Sequence, residues 1–164
     1  MFKKYLIVFL VSMVPLIELR GAIPIGIAAG MTSGTQLILL YVFSILGNML
    51  PVPFIYLFAR KVLVWGSDKK YIGKFFKFCL EKGEKGGEKL QKSAGRGGLF
   101  IALLLFVGIP LPGTGAWTGS LAASLLHMDF KSSIIAIMLG VVLAGIIMGL
   151  GSAGVFGAIG ALVS

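Results

Sequence analysis

Glu18 and Arg20 stand two positions apart in Leu16-Ile-Glu-Leu-Arg-Gly-Ala-Ile-Pro-Ile-Gly-Ile-Ala-Ala-Gly30, with apolar sequence on both sides. Apart from Asp129, Glu18 is the only acid in the apolar segments. A carboxylate can take and release a proton or a cation. A guanidinium can neutralise that carboxylate or hold an anionic headgroup as a planar fork. Charges inside a bilayer cost roughly 2.5–3.5 kcal/mol each on insertion scales, so they mark function by default. Positions i and i+2 of a helix point in very different directions, so the two are badly placed to pair within one helix. Gly21, Pro24, Gly26 and Gly30 follow at once. Backbone interrupted at membrane depth survives only against protein or a water-filled cavity. A plainer reading makes residues 5–17 a short span with both charges in the far headgroups. Thirteen residues are short for a span of about 20, and the next uncharged run, Gly21–Ala59, is too long for one helix.

A second interruption lies at Gly108-Ile-Pro-Leu-Pro-Gly-Thr-Gly-Ala-Trp-Thr-Gly119. Its free N–H groups around Gly113, Thr114 and Gly115, beside a starting half-helix, suit an anion. Trp117 is read as a cavity gate or an interfacial anchor. Asn48 lies where Gly47, Pro51 and Pro53 interrupt a long apolar run, and can bond to unwound backbone or to a neighbouring helix. The candidate substrate- or ion-binding set is therefore Glu18, Arg20, Pro24, Gly26, Asn48, Pro110, Pro112, Gly113, Thr114, Gly115 and Trp117. No metal site is expected from one His and one Cys, and no cofactor is called for. Ser124 and His127 are three apart, yet no nucleophile motif surrounds the serine, so an enzyme is not expected.

The elements that must hold these residues are membrane helices. Of 164 residues 57% are hydrophobic and 13% charged, and the mean hydropathy is +1.00. Soluble domains do not have this composition, and the alternation of a membrane β-barrel is missing. The 24 glycines favour close helix packing and broken helices. The net charge of +9 is concentrated between the membrane segments, where residues 60–96 hold eleven Lys/Arg against four Asp/Glu, or +7. That is the positive-inside signal, which places this loop in the cytoplasm and argues against nucleic acid as the partner. The lone Cys79 leaves no internal disulfide. Residues 1–17 resemble a signal peptide, but no small-x-small cleavage site follows, so they are expected to be retained.

In order, the chain reads as a helix over 5–17, a break from Glu18 to Pro24, a short helix over Ile25–Gly30 and a turn over 31–35 whose hydroxyls cap the next helix. A kinked span covers 36–64. The loop 66–96 carries a short amphipathic helix, with Tyr71, Ile72, Phe75, Phe76, Cys79 and Leu80 on one face. It either lies in the headgroups or packs on its own membrane domain. A second hairpin covers 98–128, and a helix capped by Asp129 covers 130–163. Ile23-Pro24 and Leu111-Pro112 occupy matching places in two halves, 1–65 and 97–164. The fold expected is thus an all-α integral membrane protein: an inverted repeat of re-entrant helical hairpin plus transmembrane helix, with broken helices meeting near the midplane as in secondary transporters. Re-entrance of the first hairpin puts Lys3 and Lys4 outside, against the charge rule, so the side of the N-terminus is left open.

Glu18-Leu-Arg-Gly-Ala-Ile-Pro24 and Gly108-Ile-Pro-Leu-Pro-Gly-Thr-Gly-Ala-Trp-Thr-Gly119 resemble the small multidrug export protein family over nearly the whole chain. That family resembles, more distantly, the DedA/VTT membrane proteins. The resemblance implies transport: movement of phosphorylated lipids, polyprenyl phosphates or phospholipids, across the bilayer by paired re-entrant loops. The second-loop pattern G-R-F-x-P-x-x-R of the wider group keeps its Gly108 and prolines here and lacks both arginines. Two further readings stand beside lipid movement. One is proton-coupled export of small cationic compounds. The other is a non-transporting scaffold whose basic loop docks a partner or anionic lipid headgroups. A homo-oligomer fits any of the three.

Overall fold

A computed structural model describes residues 2–69, 73–111 and 113–163. These residues form seven helices and no strand. α1 (Phe2–Met13) and α2 (Glu18–Ala28) form an antiparallel hairpin, closed at its open end by Lys4 Nζ donating to Ala29 O at 2.7 Å. At 12 and 11 residues, each arm is about 16–18 Å long, half of what a span requires. The expected break from Glu18 to Pro24 is corrected. The irregular segment is Val14–Ile17, and α2 already starts at Glu18 and contains Pro24. Pro15 ends the first arm because its ring cannot follow a helical turn. Leu16 and Glu18 then reverse the chain at φ 71° and 50°.

α3 (Gly34–Met49) and α4 (Pro51–Ser67) together cover 34 residues, long and apolar enough to cross a membrane. Leu50 separates them while keeping helical angles. Pro51 opens α4 where its missing N–H costs nothing, and Leu50 marks the boundary between the two helices. Ser33 occupies the N-cap of α3, but its hydroxyl makes no cap bond. α1 lies so close to α3 that a Cβ on Gly47 would sit 2.3 Å from Phe9 O and 2.2 Å from Ser12 Oγ.

α5 (Gly73–Gly108) corrects the short loop helix. The helical backbone persists through Gly83, Gly86 and Gly87 and departs from helical angles only at Gly95, φ 65° and ψ −176°. Single glycines cost a helix about 1 kcal/mol each without ending it. At Gly95 the backbone takes a conformation that other residues avoid. Tyr71 and Ile72 of the expected amphipathic face lie outside the described residues, as does Pro112. Phe76 packs against Gly66, while Phe75 is exposed. α6 (Ala116–Leu125) follows the second break, and α7 (Phe130–Val163) is one continuous helix whose Phe130–Ser152 portion can cross a membrane. The core gathers Leu19 and Ile23 of α2, Leu103 and Val107 of α5, and Ile137 and Val141 of α7. Large apolar side chains such as Ile38, Leu46, Phe54, Leu57, Ile135 and Ile146 stay exposed along α3, α4 and α7, as lipid-facing surfaces require.

The two halves share backbone detail at a separation of 97 residues. Positive φ recurs at Leu16 and Gly113 (71° and 82°), at Glu18 and Gly115 (50° and 154°), and at Gly30 and His127 (81° and 52°). Pro15 and Pro112 stand at the same interval. The exits of α2 and α6 repeat the same six-residue closure, with Met31 N to Gly26 O and Met128 N to Ala123 O both 3.1 Å. At this interval Pro112 stands opposite Pro15 in the sequence rather than Pro24.

Gly47→Ala should destabilise the protein by about 1–3 kcal/mol, because the clash involves backbone that cannot turn aside. Gly34→Ala, whose Cβ would meet nothing within 4 Å, should be neutral or mildly stabilising. Thermal unfolding of both variants in detergent compares them directly.

Candidate functional site

The tips of the two hairpins meet, and the contact is made by the charged pair of the first and the broken backbone of the second. Glu18 is only 5% exposed. Its Oε2 accepts from Ala116 N and its Oε1 from Trp117 N, each at 3.1 Å. These are first-turn N–H groups of α6, which have no partner inside their own helix. The positive end of the α6 dipole adds to the attraction. The approach depends on Gly115, where a Cβ would lie 2.2 Å from Glu18 Oε2.

Arg20 turns the other way, toward the end of α5. Its guanidinium donates to Leu111 O, to Thr114 Oγ1 at 2.8 Å, and to Val107 O and Ile109 O at 3.3 Å each. Carbonyls past the last turn of a helix lack intrahelical donors, and a planar fork with five N–H groups can cover several at once. The carboxylate thus caps the helix after the break and the guanidinium caps the helix before it. Each bond to a charged group is worth about 1.5–3 kcal/mol net. Together they offset the cost of holding two charges among apolar helices.

A cavity of about 470 Å³ opens beside this junction. Of the residues expected at a site, Glu18, Arg20, Pro110, Gly113, Thr114 and Trp117 line it. Gly115 lies against Glu18 instead. Pro24 and Gly26 sit inside α2, and Gly26 faces Leu40 of α3 rather than the cavity. Asn48 is buried on α3 with its Oδ1 unpartnered, away from the cavity lining. The first N–H groups of the half-helix, those of Ala116 and Trp117, are occupied by Glu18, while Thr114 donates its N–H to Leu111 O and its hydroxyl oxygen serves Arg20. Pro15, Leu16, Thr118, Leu121 and Met148 also line the cavity and were not singled out from sequence. Pro15 carried a readable signal as the proline inside the first apolar run. Met148, on a uniformly apolar helix, carried none.

A second polar cluster joins α4 to the far end of α6. Ser124 Oγ donates to Tyr56 O at 2.9 Å, Tyr56 OH donates to Met128 O, and Arg60 Nη1 lies 2.7 Å from His127 Nδ1. His127 is in the turn beyond α6, so it does not share a helical face with Ser124. Helix α7 begins one residue after Asp129, whose carbonyl accepts from Ser133 N at 2.9 Å.

Two membrane-capable helices, apolar outer faces and a charge-capped break beside a cavity define an all-helical membrane protein with an internal polar junction. Its sequence agrees with this class. A family model described as "Putative small multi-drug export protein" matches residues 18–147, and the chain belongs to that family. The match begins at Glu18 and includes the second break. No curated protein and no solved structure matches the chain.

Arg20→Lys should lower the unfolding free energy by about 1–3 kcal/mol, since one ammonium cannot reach the carbonyls and hydroxyl that the guanidinium spans. A melting temperature equal to wild type in the same detergent would show that the fork geometry is not needed.

Proposed function

We propose that the protein is a proton-coupled exporter of small apolar cations, with Glu18 as the coupling carboxylate and the adjacent cavity as the substrate site. One observation carries this reading. A buried carboxylate on one hairpin holds the N-terminus of a helix on the other, so a proton on Glu18 loosens the contact between the halves. A cation entering the cavity meets the same carboxylate and the Trp117 ring, which attracts cations through its π face. Proton and substrate then compete for one group, the requirement for exchange.

In this proposal both hairpins are re-entrant and enter from opposite faces of the bilayer. The Lys4–Ala29 bond places the open end of the first hairpin beside the start of α3. The Arg60–His127 contact places the open end of the second beside a residue 26 positions after Gly34. At 1.5 Å per residue that is about 39 Å of helix, enough to cross a bilayer core of about 30 Å. The basic segment 60–96 then lies in the cytoplasm and the N-terminus outside. Movement of phosphorylated lipid receives less support, because the α6 N–H groups and the Arg20 fork already hold partners within the chain.

The test is reconstitution in liposomes with an imposed pH gradient, with ethidium and a fluorescent phospholipid as separate cargoes. Glu18→Gln keeps the shape and loses the charge. It should remove pH-driven ethidium movement at least about tenfold, the effect of roughly 1.4 kcal/mol or more on the coupled step, while the protein stays folded. Undiminished ethidium transport by this variant would sink the reading. Phospholipid movement without ethidium movement would favour the lipid cargo. Loss of function only on charge reversal in the basic loop would favour a scaffold.

A further inference from the structure

We propose that His127 is a second proton-binding site, at the cytoplasmic end of α6, and that its protonation moves the helix whose other end holds Glu18. The coupling to transport rests on the export reading above; the proton site and the movement do not.

The equivalent turns of the two hairpins point to it. Each closes its short helix with a residue at positive φ followed by a buried methionine. In the first hairpin that residue is Gly30, at φ 81°. In the second it is His127, at φ 52°. This is the helix-exit position where glycine is cheapest. A side chain kept at a cost in backbone energy points to a use for the side chain.

The use is visible in the contacts of its ring. Arg60 has no lone pair to offer, so at 2.7 Å its Nη1 donates and His127 Nδ1 accepts. Such a bond uses the lone pair of Nδ1. A proton on Nδ1 removes the acceptor and sets two cations against each other. The ring is exposed, so protons reach it from solution. The titratable and charged groups lining the clefts on either side of it are Tyr56 and Arg60 from α4, Arg96 from α5, and Asp129 at the start of α7. Asp129 is the one acid among them and gives the imidazolium a place to turn. The neutral ring holds α4 through Arg60; the charged ring leaves Arg60 for Asp129. Helix α6 has only ten residues, about 15 Å. A shift at its His127 end is carried to Ala116 and Trp117 as a rigid-body movement.

Two sequence facts make the test clean: His127 is the only histidine, and Trp117 is one of two tryptophans. In full-length protein carrying Trp65→Phe, reconstituted in nanodiscs, ¹⁵N-histidine NMR reads the ring while Trp117 emission reads the opposite end of α6. Between pH 5 and 8 the ring should titrate once, and Trp117 emission should change with the same midpoint. In a Glu18→Gln background, where the junction carboxylate no longer titrates, His127→Gly, which suits the turn, should make Trp117 insensitive to pH over that range. Arg60→Met should leave the ring titrating while Trp117 no longer follows. Glu18→Gln should retain the response, which keeps this result separable from any failure of Glu18 as the coupling group. A pH response of Trp117 that persists in the Glu18→Gln, His127→Gly double variant, or that disappears in Glu18→Gln alone, would overturn the proposal. So would a ring that titrates in the parent protein with no change at Trp117.

Discussion

A buried carboxylate cannot remain charged among apolar helices unless donors surround it. Glu18 meets that condition by taking two first-turn N–H groups from a helix nearly a hundred residues away. Much of the surrounding geometry follows from this. The first hairpin must reverse through left-handed backbone at Leu16 and Glu18 to aim the side chain. The second must present Gly115, since any Cβ there would occupy the carboxylate's place. Without the carboxylate, α6 would start in the protein interior with unpaired donors. Without α6, Glu18 would be an uncompensated charge. Neither hairpin tip is satisfied alone.

The spacing of Glu18 and Arg20 acquires a physical meaning from the same arrangement. A broken helix presents two kinds of unsatisfied backbone: carbonyls at the end of its first arm and N–H groups at the start of its second. One short segment that carries an anion and a cation pointing apart can serve both. Side chains four apart on a helix would have faced each other and formed an ordinary pair, leaving both backbone ends bare. The divergence that prevents Glu18 and Arg20 from pairing lets them reach opposite sides of the second break.

Much of this was legible in sequence because charge and helix-breaking residues carry large energies. Composition specified membrane helices, and the two breaks with their charged pair stood out as the residues least compatible with lipid. Placement within the breaks was less legible. Pro24 suggested an interruption, yet its missing N–H removes only one bond, and α2 continues through it with Leu19, Ala22 and Ile23 buried in the core. Pro15 looked like the ordinary end of a span and marks the actual reversal. The two halves were compared by proline identity, which was visible, while the positive φ values that recur 97 residues apart are properties of backbone. The basic helix was expected to be short because glycines were read as breaks, whereas only Gly95 leaves the helical region. Thr114 and the neighbouring glycines were assigned to an external anion because sequence alone gives no sign that Glu18 reaches the half-helix beside them.

The contrast between two helix contacts separates the rigid part of the molecule from the part that can move. At Gly47, α1 and α3 approach until side chain and backbone touch. Packing of that kind has one arrangement and no switch. At the hairpin tips the contact is electrostatic and directional: a carboxylate on two N–H groups and a guanidinium on carbonyls and a hydroxyl. A single proton changes such a contact, and the cavity beside it gives the separated groups somewhere to go. A transporter requires an interface whose strength depends on what is bound. In the proposed export cycle that condition falls on the junction around Glu18, and the close packing at Gly47 would hold the first hairpin together.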